Sequence, residues 1–465
     1  MSFLAWQYPF FLGVAVLMYW LLTQRGRILW LLWASYAFYA FWDARFLLLL
    51  LTTTTVDFFV ARAIETKSSK KLLVALSCVV NLTILGFFKY FNFFADSAER
   101  LLSTIGLQAH WTLPHIILPI GISFYTFQSL ACVIDVYRGK QRACRDFFTY
   151  AVYLSFFPQL LAGPIGRAPQ LMPQWEEKRS FQPLYLHEGL RWMLVGLFKK
   201  VFVADNCALL ANFCFDSEKN LGAGWAVLGA LAFTFQIYGD FSGYTDLARG
   251  SARLFGFELM QNFRFPYFSI TPSDFWQRWH ISLSSWFRDC LYISLGGNRQ
   301  GKARTLLNLM VTMALAGLWH GAGGMFIFWG IYYGVLLVIY RITPSLAALE
   351  KETLSRKKQF FASSAMFALI VFGWVIFRCS SIHDFIHWMR AFGSVTSDAP
   401  LCGPAIWLAI HIVPLLLLQA LTWKEREETS LEKIPWVARG ILYLALVLLI
   451  VSSITQDQEF IYFQF

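Results

Sequence analysis

The sequence is dominated by apolar runs about as long as a lipid bilayer is thick. Of its 465 residues, 57% are hydrophobic and 14% are Asp, Glu, Lys or Arg, whereas charged residues make up about 25% of an ordinary soluble domain. A helix needs about 20 apolar residues to cross the hydrocarbon core. Runs that approach this length lie at residues 3–22, 28–42, 45–64, 72–95, 113–136, 190–210, 225–247, 303–319, 325–340, 360–377, 405–422 and 436–454. The pattern predicts an all-α integral membrane protein with about 11 or 12 transmembrane helices.

The cationic residues predict how the chain is oriented in the membrane. Lys and Arg number 39 against 28 for Asp and Glu, and in a soluble protein such an excess would point to nucleic acid. Here the cations fall in short connections, and cytoplasmic connections are the ones enriched in Lys and Arg. An N-terminus on the outside places the clusters at 25–27, 67–71 and 138–145 in the cytoplasm. No Lys or Arg precedes the first run, so it is expected to be a retained span rather than a secretory signal. Membrane lipid is the expected surrounding, and no nucleic-acid partner is expected.

Two segments interrupt the series of spanning runs. Residues 147–166 are apolar but contain Pro158, Gly163 and Pro164, which break a helix. Irregular backbone at membrane depth is tolerated only inside protein or along a cavity, so a re-entrant element is expected here. Residues 250–300 are rich in Arg, Trp and Phe and contain no clean span. They are expected to lie at the inner membrane interface.

His320 stands in an unusual setting for a histidine. It ends an apolar run and is followed by the sequence GAGG, which begins the next one. Lys302 before this pair of runs and Arg341 after it should both be cytoplasmic, which places His320 at membrane depth or toward the outside. An ionisable residue there is costly and indicates function by default. A neutral imidazole can take a proton from a hydroxyl that attacks an acyl group, so His320 is a candidate general base. The alternative is a core histidine that binds a backbone carbonyl.

A second candidate, His280, lies in the sequence DFWQRWHISLS. Helical spacing would place Trp276, Trp279 and His280 on one helix face. That face could line a pocket for an apolar donor, or it could form an aromatic belt at the interface. Nearby cations could bind the phosphates of a donor, although positive-inside topology would also place them there. These cations are Arg278, Arg288, Arg299 and Lys302.

Other polar residues lie inside apolar runs. Tyr238 and Asp240 are found in YGDFSGYTD, and Gln128 is found in SFYTFQ. Each could orient a catalytic group or pair with a neighbour for structural reasons. The 8 cysteines form no CxxC pair, and no Cys/His cluster has the spacing of zinc ligands. The sequence therefore predicts no metal site.

Six sequence blocks resemble the membrane-bound O-acyltransferase (MBOAT) family, and within it the bacterial branch of alginate O-acetylation and teichoic-acid D-alanylation proteins. The blocks are SFYTFQSLACVIDVYRG (123–139), FFPQLLAGPIGR (156–167), YGDFSGYTDL (238–247), NFRF (262–265) with DFWQRWHISLS (274–284), GLWHG (317–321) and FIYFQF (460–465). The resemblance covers nearly the whole chain. It implies one transmembrane domain over residues 1–465, with N-terminal helices at 1–136, a catalytic core at 137–341 and C-terminal helices at 342–465.

The resemblance also implies roles for individual residues. His320 matches the catalytic histidine of the family, and His280 matches its second histidine on the cytoplasmic donor side. Trp319, next to the catalytic position, is expected to line a central tunnel that joins the two faces of the membrane. Transmembrane helices, with re-entrant and interfacial helices, would surround that tunnel. The protein would lie in the bacterial cytoplasmic (inner) membrane.

The expected function is O-acetylation of an alginate-like extracellular or periplasmic polysaccharide. The resemblance implies that no cofactor is bound and that the acyl donor is a cytoplasmic thioester, either acetyl-CoA or an acyl-carrier phosphopantetheine. It also implies a periplasmic or extracellular partner of the SGNH acetylesterase type. One alternative is D-alanyl transfer to teichoic acid, because both branches share these blocks. A non-enzymatic transporter is the other, but the paired discontinuous helices typical of transporters are not seen in the sequence.

Overall fold

The computed structural model describes residues 3–106, 116–161, 163–216, 222–349, 354–394, 400–453 and 460–461. The regular elements in these ranges are helices. Most of the C-terminal block FIYFQF lies outside the described residues. The first ten helices, α1 to α10, are Gln7–Leu21, Gln24–Asp43, Leu47–Thr66, Lys70–Thr104, Ile122–Tyr137, Phe147–Ser155, Phe157–Leu160, Ala168–Glu176, Pro183–Leu197 and Asp205–Cys214. The next ten, α11 to α20, are Ala223–Leu254, Pro272–Trp276, Ile281–Trp286, Lys302–His320, Gly324–Ile342, Pro344–Ala348, Arg356–Arg378, Ile382–Gly393, Cys402–Thr422 and Trp436–Ser452.

Many of these helices have the length and composition of membrane spans. Among the described residues, 5 helical segments are long and apolar enough to cross a bilayer, at 24–66, 70–104, 324–342, 356–378 and 402–425. Three shorter apolar helices, α1, α5 and α20, accompany them. The predicted class, an all-α multi-pass membrane protein, is confirmed. The count of 11 or 12 crossings stays a prediction.

The described residues group into two compact units, one made of 1–189 and 248–260 and the other of 190–247 and 261–465. The first unit is tied together by a buried carboxylate on α3. Asp57 accepts hydrogen bonds from Ser77 (2.6 Å) and Asn81 (2.8 Å) on α4 and from Ser129 (2.5 Å) on α5. Because a buried charge without hydrogen bonds is strongly unfavourable, this contact fixes three apolar helices in one arrangement.

The first unit also contains the helix break that the sequence predicts. The helix α6 ends at Ser155, and α7 covers only Phe157–Leu160. Gln128 on α5 donates to the backbone oxygen of Tyr153 (2.7 Å), and Gln159 donates to the side-chain oxygen of Gln128 (2.5 Å) and to the backbone of Pro164 (2.8 Å). These amides bind the broken segment inside the protein, where irregular backbone can be satisfied. The re-entrant position of the segment stays a prediction.

In the second unit, α14 and α15 form a hairpin with direct backbone contact. A Cβ atom added to Gly317 would lie 2.1 Å from the carbonyl oxygen of Phe326, and one added to Gly330 would lie 2.3 Å from that of Met313. Small residues allow such close approach between membrane helices. The hairpin places His320, the last residue of α14, beside the first turn of α15.

A buried network of charges joins other helices of the second unit. Residues Phe198–Ala204 form a π-helical turn between α9 and α10. Its Lys200 binds Asp205 (2.7 Å) and Asp240 (2.7 Å). Its Lys199 binds Asp246 (2.7 Å) and Glu428. Both lysines are buried, so pairing with carboxylates offsets the cost of removing them from water.

Glycine at the hairpin contact is expected to be essential for stability. Gly317→Ala should lower the free energy of unfolding by about 1–3 kcal/mol or more, because the new methyl group overlaps a backbone carbonyl that cannot rotate away. Thermal unfolding of the detergent-purified protein measures the change. Gly440→Ala on α20, where a Cβ meets nothing within 4 Å, is the matched control. Equal melting temperatures for the two variants would contradict the proposed contact.

The charge network makes a second prediction. Lys200→Met leaves Asp205 and Asp240 without their shared cation, and breaking a buried pair in this way costs about 3–5 kcal/mol. Lys433, whose side chain is 79% exposed and lies 2.7 Å from Glu425, provides the control, because an exposed pair contributes about 0–1 kcal/mol. We expect Lys200→Met to melt far below Lys433→Met in the same detergent. Comparable melting would show that the network does not stabilise the fold.

Candidate active site

The second unit contains a cavity of about 450 Å³ with His320 in its wall. Leu309, Thr312, Met313 and Ala316 of α14 line it together with His320. A helix rises 1.5 Å per residue, so the lining extends for about 16 Å along α14. The cavity is therefore long rather than round.

Arginines lie along the same cavity. Arg264 and Arg288 reach it from the segment between α11 and α14, and Arg341 reaches it from the last turn of α15. Because α14 and α15 run antiparallel, Arg341 and His320 lie at opposite ends of the hairpin. The cavity joins a cationic end to a histidine, and guanidinium groups bind phosphate oxygens with good geometry. Arg288 also binds the neighbouring Asp289 at 2.8 Å.

The imidazole of His320 is enclosed by aromatic rings. Its centroid lies 5.0 Å from Trp319, 5.0 Å from Trp329 and 5.4 Å from Phe377, each in an edge-on arrangement. The side chain is buried, with 4% exposed. A Cβ at Gly321 would lie 2.1 Å from the ring of Phe326, so the glycine after His320 admits this ring. The enclosure holds the imidazole in one orientation beside the cavity.

Trp276 also lines the cavity, whereas Trp279 and His280 are not among its lining residues. The ring of Trp276 packs 5.7 Å from Trp329 and 5.1 Å from Tyr333. Trp279 is buried against Trp374, 4.7 Å away. The prediction that Trp276, Trp279 and His280 share one helix face is wrong, because α12 ends at Trp276 and His280 adopts a left-handed backbone conformation with φ of 43°.

Hydrogen bonds to Asn262 stabilise the turn of the chain at His280. Its backbone oxygen accepts from the N–H of Ile281 (2.9 Å), and its side-chain oxygen accepts from the N–H (3.0 Å) and hydroxyl (2.9 Å) of Ser282. These bonds hold the start of α13 in place. They connect the sequence blocks NFRF and DFWQRWHISLS, a relation that helical spacing alone does not show.

His280 lies one aromatic ring away from His320. Its ring centroid is 6.1 Å from that of Trp319, which in turn is 5.0 Å from His320. Phe241 packs on its other side at 4.6 Å. Burial lowers the pKa of His280 to about 3, so this imidazole is neutral at neutral pH. The geometry suits a residue that positions Trp319 rather than one that contacts a substrate in the cavity.

The remaining candidates have structural partners and do not line the cavity. Arg278 binds Asp274 at 2.6 Å. Asp240 binds Lys200 and accepts a hydrogen bond from the backbone of Ile461 (2.6 Å). Tyr238 donates to Glu428 within the charge network, and Gln128 belongs to the first unit. For these residues the contacts favour a structural role over a catalytic or donor-binding one.

Sequence reasoning missed two groups of residues at the site, the arginines of the cavity and the rings that pack on His320. Arg264 lies in the block NFRF but was not singled out, and Arg341 served only to orient the chain. The rings of Trp329 and Phe377 were passed over because aromatic residues are common throughout this sequence, with 18% Phe, Trp and Tyr. For the arginines, the sequence signal that could have indicated a role at the cavity was the cation at position 341, at the end of an apolar run.

Comparison with known proteins agrees with the motifs. A model of the membrane-bound O-acyltransferase family, MBOAT, matches residues 141–382. The probable alginate O-acetylase AlgI of Pseudomonas putida is 43% identical over 380 residues, which is 81% of this chain and 76% of the relative. The peptidoglycan O-acetyltransferase of Helicobacter pylori is 35% identical over 408 residues, covering 80% of this chain and 75% of the relative. The teichoic acid D-alanyltransferase of Bacillus subtilis is 26% identical over 290 residues, covering 59% and 72%.

The family match, the similarity to these relatives and the apolar helices lead to one conclusion. The resemblance read from six sequence blocks is confirmed, and the expected class of enzyme is confirmed with it. The chain belongs to the membrane-bound O-acyltransferase family and is a multi-pass membrane O-acyltransferase that uses an acyl donor.

Proposed function

We propose that this enzyme moves acetyl groups from a cytoplasmic thioester to hydroxyl groups of an alginate-like polysaccharide outside the cytoplasmic membrane. The observation that carries the proposal is the position of His320, in the wall of a long cavity whose other end is cationic. A thioester of coenzyme A or of an acyl-carrier phosphopantetheine combines a phosphate group with a long arm. The long cavity accommodates such a donor with its phosphate at the arginines and its thioester carbonyl near His320. The names of the relatives from Pseudomonas putida and Helicobacter pylori support acetyl as the acyl group.

The proposed chemistry needs one proton acceptor. His320 takes the proton of an acceptor hydroxyl as its oxygen attacks the carbonyl carbon of the thioester. The new C–O bond forms, the C–S bond breaks, and the imidazolium returns the proton to the leaving thiolate. The aromatic enclosure excludes water, which would otherwise hydrolyse the donor. His280 positions Trp319, and Trp276 forms the wall along which the donor lies.

The same proposal includes an orientation. The cationic residues before α14 and α17 and at the end of α15 are placed in the cytoplasm, with the N-terminus outside. His320 then lies deep in the membrane, far from the donor entrance. The whole chain is proposed to act as one domain. A periplasmic or extracellular partner of the SGNH type is proposed to complete transfer to the polymer where the enzyme does not reach it directly.

Replacing His320 tests the catalytic assignment. We expect His320→Gln to lower acetyl transfer by about 10²–10⁴-fold, the usual contribution of a general base. The assay uses protein reconstituted in vesicles, radiolabelled acetyl-CoA or acetyl carrier on the cytoplasmic side, and acetyl groups counted on the outside. His383→Gln, exposed at the start of α18, is the control. Full activity of His320→Gln would rule out its role as base.

The same assay distinguishes the alternatives. An unaffected His280→Gln enzyme would leave His320 as the base and give His280 a purely structural role. Because the pKa of His280 is about 3, this histidine is neutral above pH 5 and should add no inflection to the rate profile between pH 5 and 8. Loading with D-alanine instead of acetate would move the chain to the D-alanyl branch. Flux of a small molecule without acylation would indicate a transporter.

The arginines at the cavity make a separate prediction. Neutralising Arg288 and Arg341 to Gln should raise the KM for the donor about tenfold or more, since a charge-assisted hydrogen bond contributes about 1.5–3 kcal/mol, while kcat changes little. Arg299→Gln, an exposed cation that is not among the lining residues, should leave the KM unchanged. Equal KM values in all three variants would show that the donor phosphate binds elsewhere.

A further inference from the structure

The end of α12 faces the long cavity. Ser273, Trp276 and Gln277 have the spacing of neighbours on one helix face, and all three line the cavity. Thr271 caps the start of this short helix, because its hydroxyl accepts a hydrogen bond from the N–H of Asp274 (3.1 Å). The local structure of α12 therefore holds the large ring of Trp276 in the cavity wall.

Trp276 separates the cavity from two aromatic rings of α15. Its ring centroid lies 5.7 Å from that of Trp329 and 5.1 Å from that of Tyr333, both in edge-on arrangements. Both partners are completely buried, and neither is among the described residues that line the cavity. Trp276 itself is partly exposed. Its indole ring thus fills the space between α15 and the cavity.

This part of the wall lies beside the proposed reaction centre. Trp329 contacts both the ring of Trp276 and the imidazole of His320, the latter at 5.0 Å. Ala316, about one turn before His320 on α14, also lines the cavity. Phe377 covers another side of the imidazole at 5.4 Å. A thioester carbonyl next to His320 would therefore place its acyl group close to Ala316 and Trp276.

The side chains at this end of the cavity limit the length of the acyl group. Ala316 has only a methyl side chain, which leaves room beside α14 for a small group. The indole of Trp276 occupies the space that the further carbons of a longer chain would need. Because a packed protein interior yields little to an added methylene, each extra carbon would press against a ring that Trp329 and Tyr333 support.

We propose that Trp276 determines the length of the acyl group, admitting acetyl and excluding chains of three or more carbons, and that Ala316 provides the space for the acetyl methyl group. The inference rests on the proposed function, because it concerns the acyl end of the same donor. It is independent of the acceptor, since the chain length is selected while the thioester carbonyl lies beside His320 and before the C–S bond breaks. Trp276 acts by contact with the acyl group and takes no part in proton transfer.

The test compares acetyl, propionyl and butyryl donors in the reconstituted vesicles. All three are carried on the thioester, of coenzyme A or of the acyl carrier, that supports acetyl transfer. Release of the thiol reports C–S cleavage whatever the acceptor is, and it gives kcat/KM for each donor. The wild type should prefer acetyl to propionyl by about 10–200-fold, the usual discrimination for one methylene.

Replacing Trp276 should relax this preference. Trp276→Leu should lower the ratio of kcat/KM for acetyl to that for butyryl by about tenfold or more, because an apolar space opened in a protein binds apolar groups that fit it. Trp276→Phe keeps a smaller aromatic ring and should shift the ratio in the same direction to a lesser extent. Ala316→Val fills the space from the side of α14 and should lower propionyl turnover more than acetyl turnover.

A matched control separates selection from general damage. Trp225 is a buried tryptophan on α11 that packs 5.2 Å from Phe213 and is not among the described lining residues. Trp225→Leu should keep the donor ratios of the wild type. A folding defect lowers kcat/KM for all donors together and leaves their ratio unchanged, so the ratio reports contact with the acyl chain.

The outcomes distinguish this inference from the proposed function. Unchanged donor ratios in Trp276→Leu and Trp276→Phe, with acetyl transfer by the wild type intact, would overturn the inference and leave the proposed function in place. A wild type that uses butyryl as well as acetyl would have the same consequence. If the wild type releases no thiol from an acetyl thioester of either kind, the proposed function fails and this inference fails with it.

Discussion

Backbone contact between α14 and α15 determines where the catalytic chemistry can lie. Gly317 and Gly330 let the two helices touch without intervening side chains, and in an apolar surrounding such packing is a main source of association between helices. The contact aligns the end of α14 with the start of α15. It also leaves the side chains of the other face of α14, from Leu309 to His320, directed at the long cavity. The cavity lies beside the hairpin, among residues of α14, of α15 and of the segment that precedes α14.

The charged residues inside this protein fall into two groups. Those paired with other protein groups have structural roles, and those beside a cavity can bind a ligand. Asp57, Lys199 and Lys200 are buried with hydrogen-bonding or oppositely charged partners. These contacts offset the cost of removing each charge from water, and they hold the helices together. The arginines of the long cavity instead lie beside open space. A cation that borders a cavity retains N–H groups for a ligand. Asp240 is structural because its carboxylate already binds Lys200 and the backbone of Ile461.

The sequence predicted the features that depend on local order. The helix end at His320, the break at Pro158 and the irregular segment before α14 follow from proline, glycine and the pattern of apolar residues. It failed at His280, where the predicted helix face is broken by a tertiary contact with Asn262. Arg264 and Phe377 could not be chosen from the sequence for a related reason. Each reaches the site through packing between segments distant along the chain, and neither carries a local signal that distinguishes it from other arginines and phenylalanines.

The placement of His320 at the far end of the long cavity addresses a problem that faces any acyl transfer across a membrane. Donor and acceptor must meet at one base, yet a continuous open path would admit water to the thioester and dissipate the ion gradient. Phe377 covers one side of the His320 imidazole without adding charge or hydrogen-bonding groups of its own. Its ring contacts both Phe326 and His320, so it limits the access of water to the imidazole.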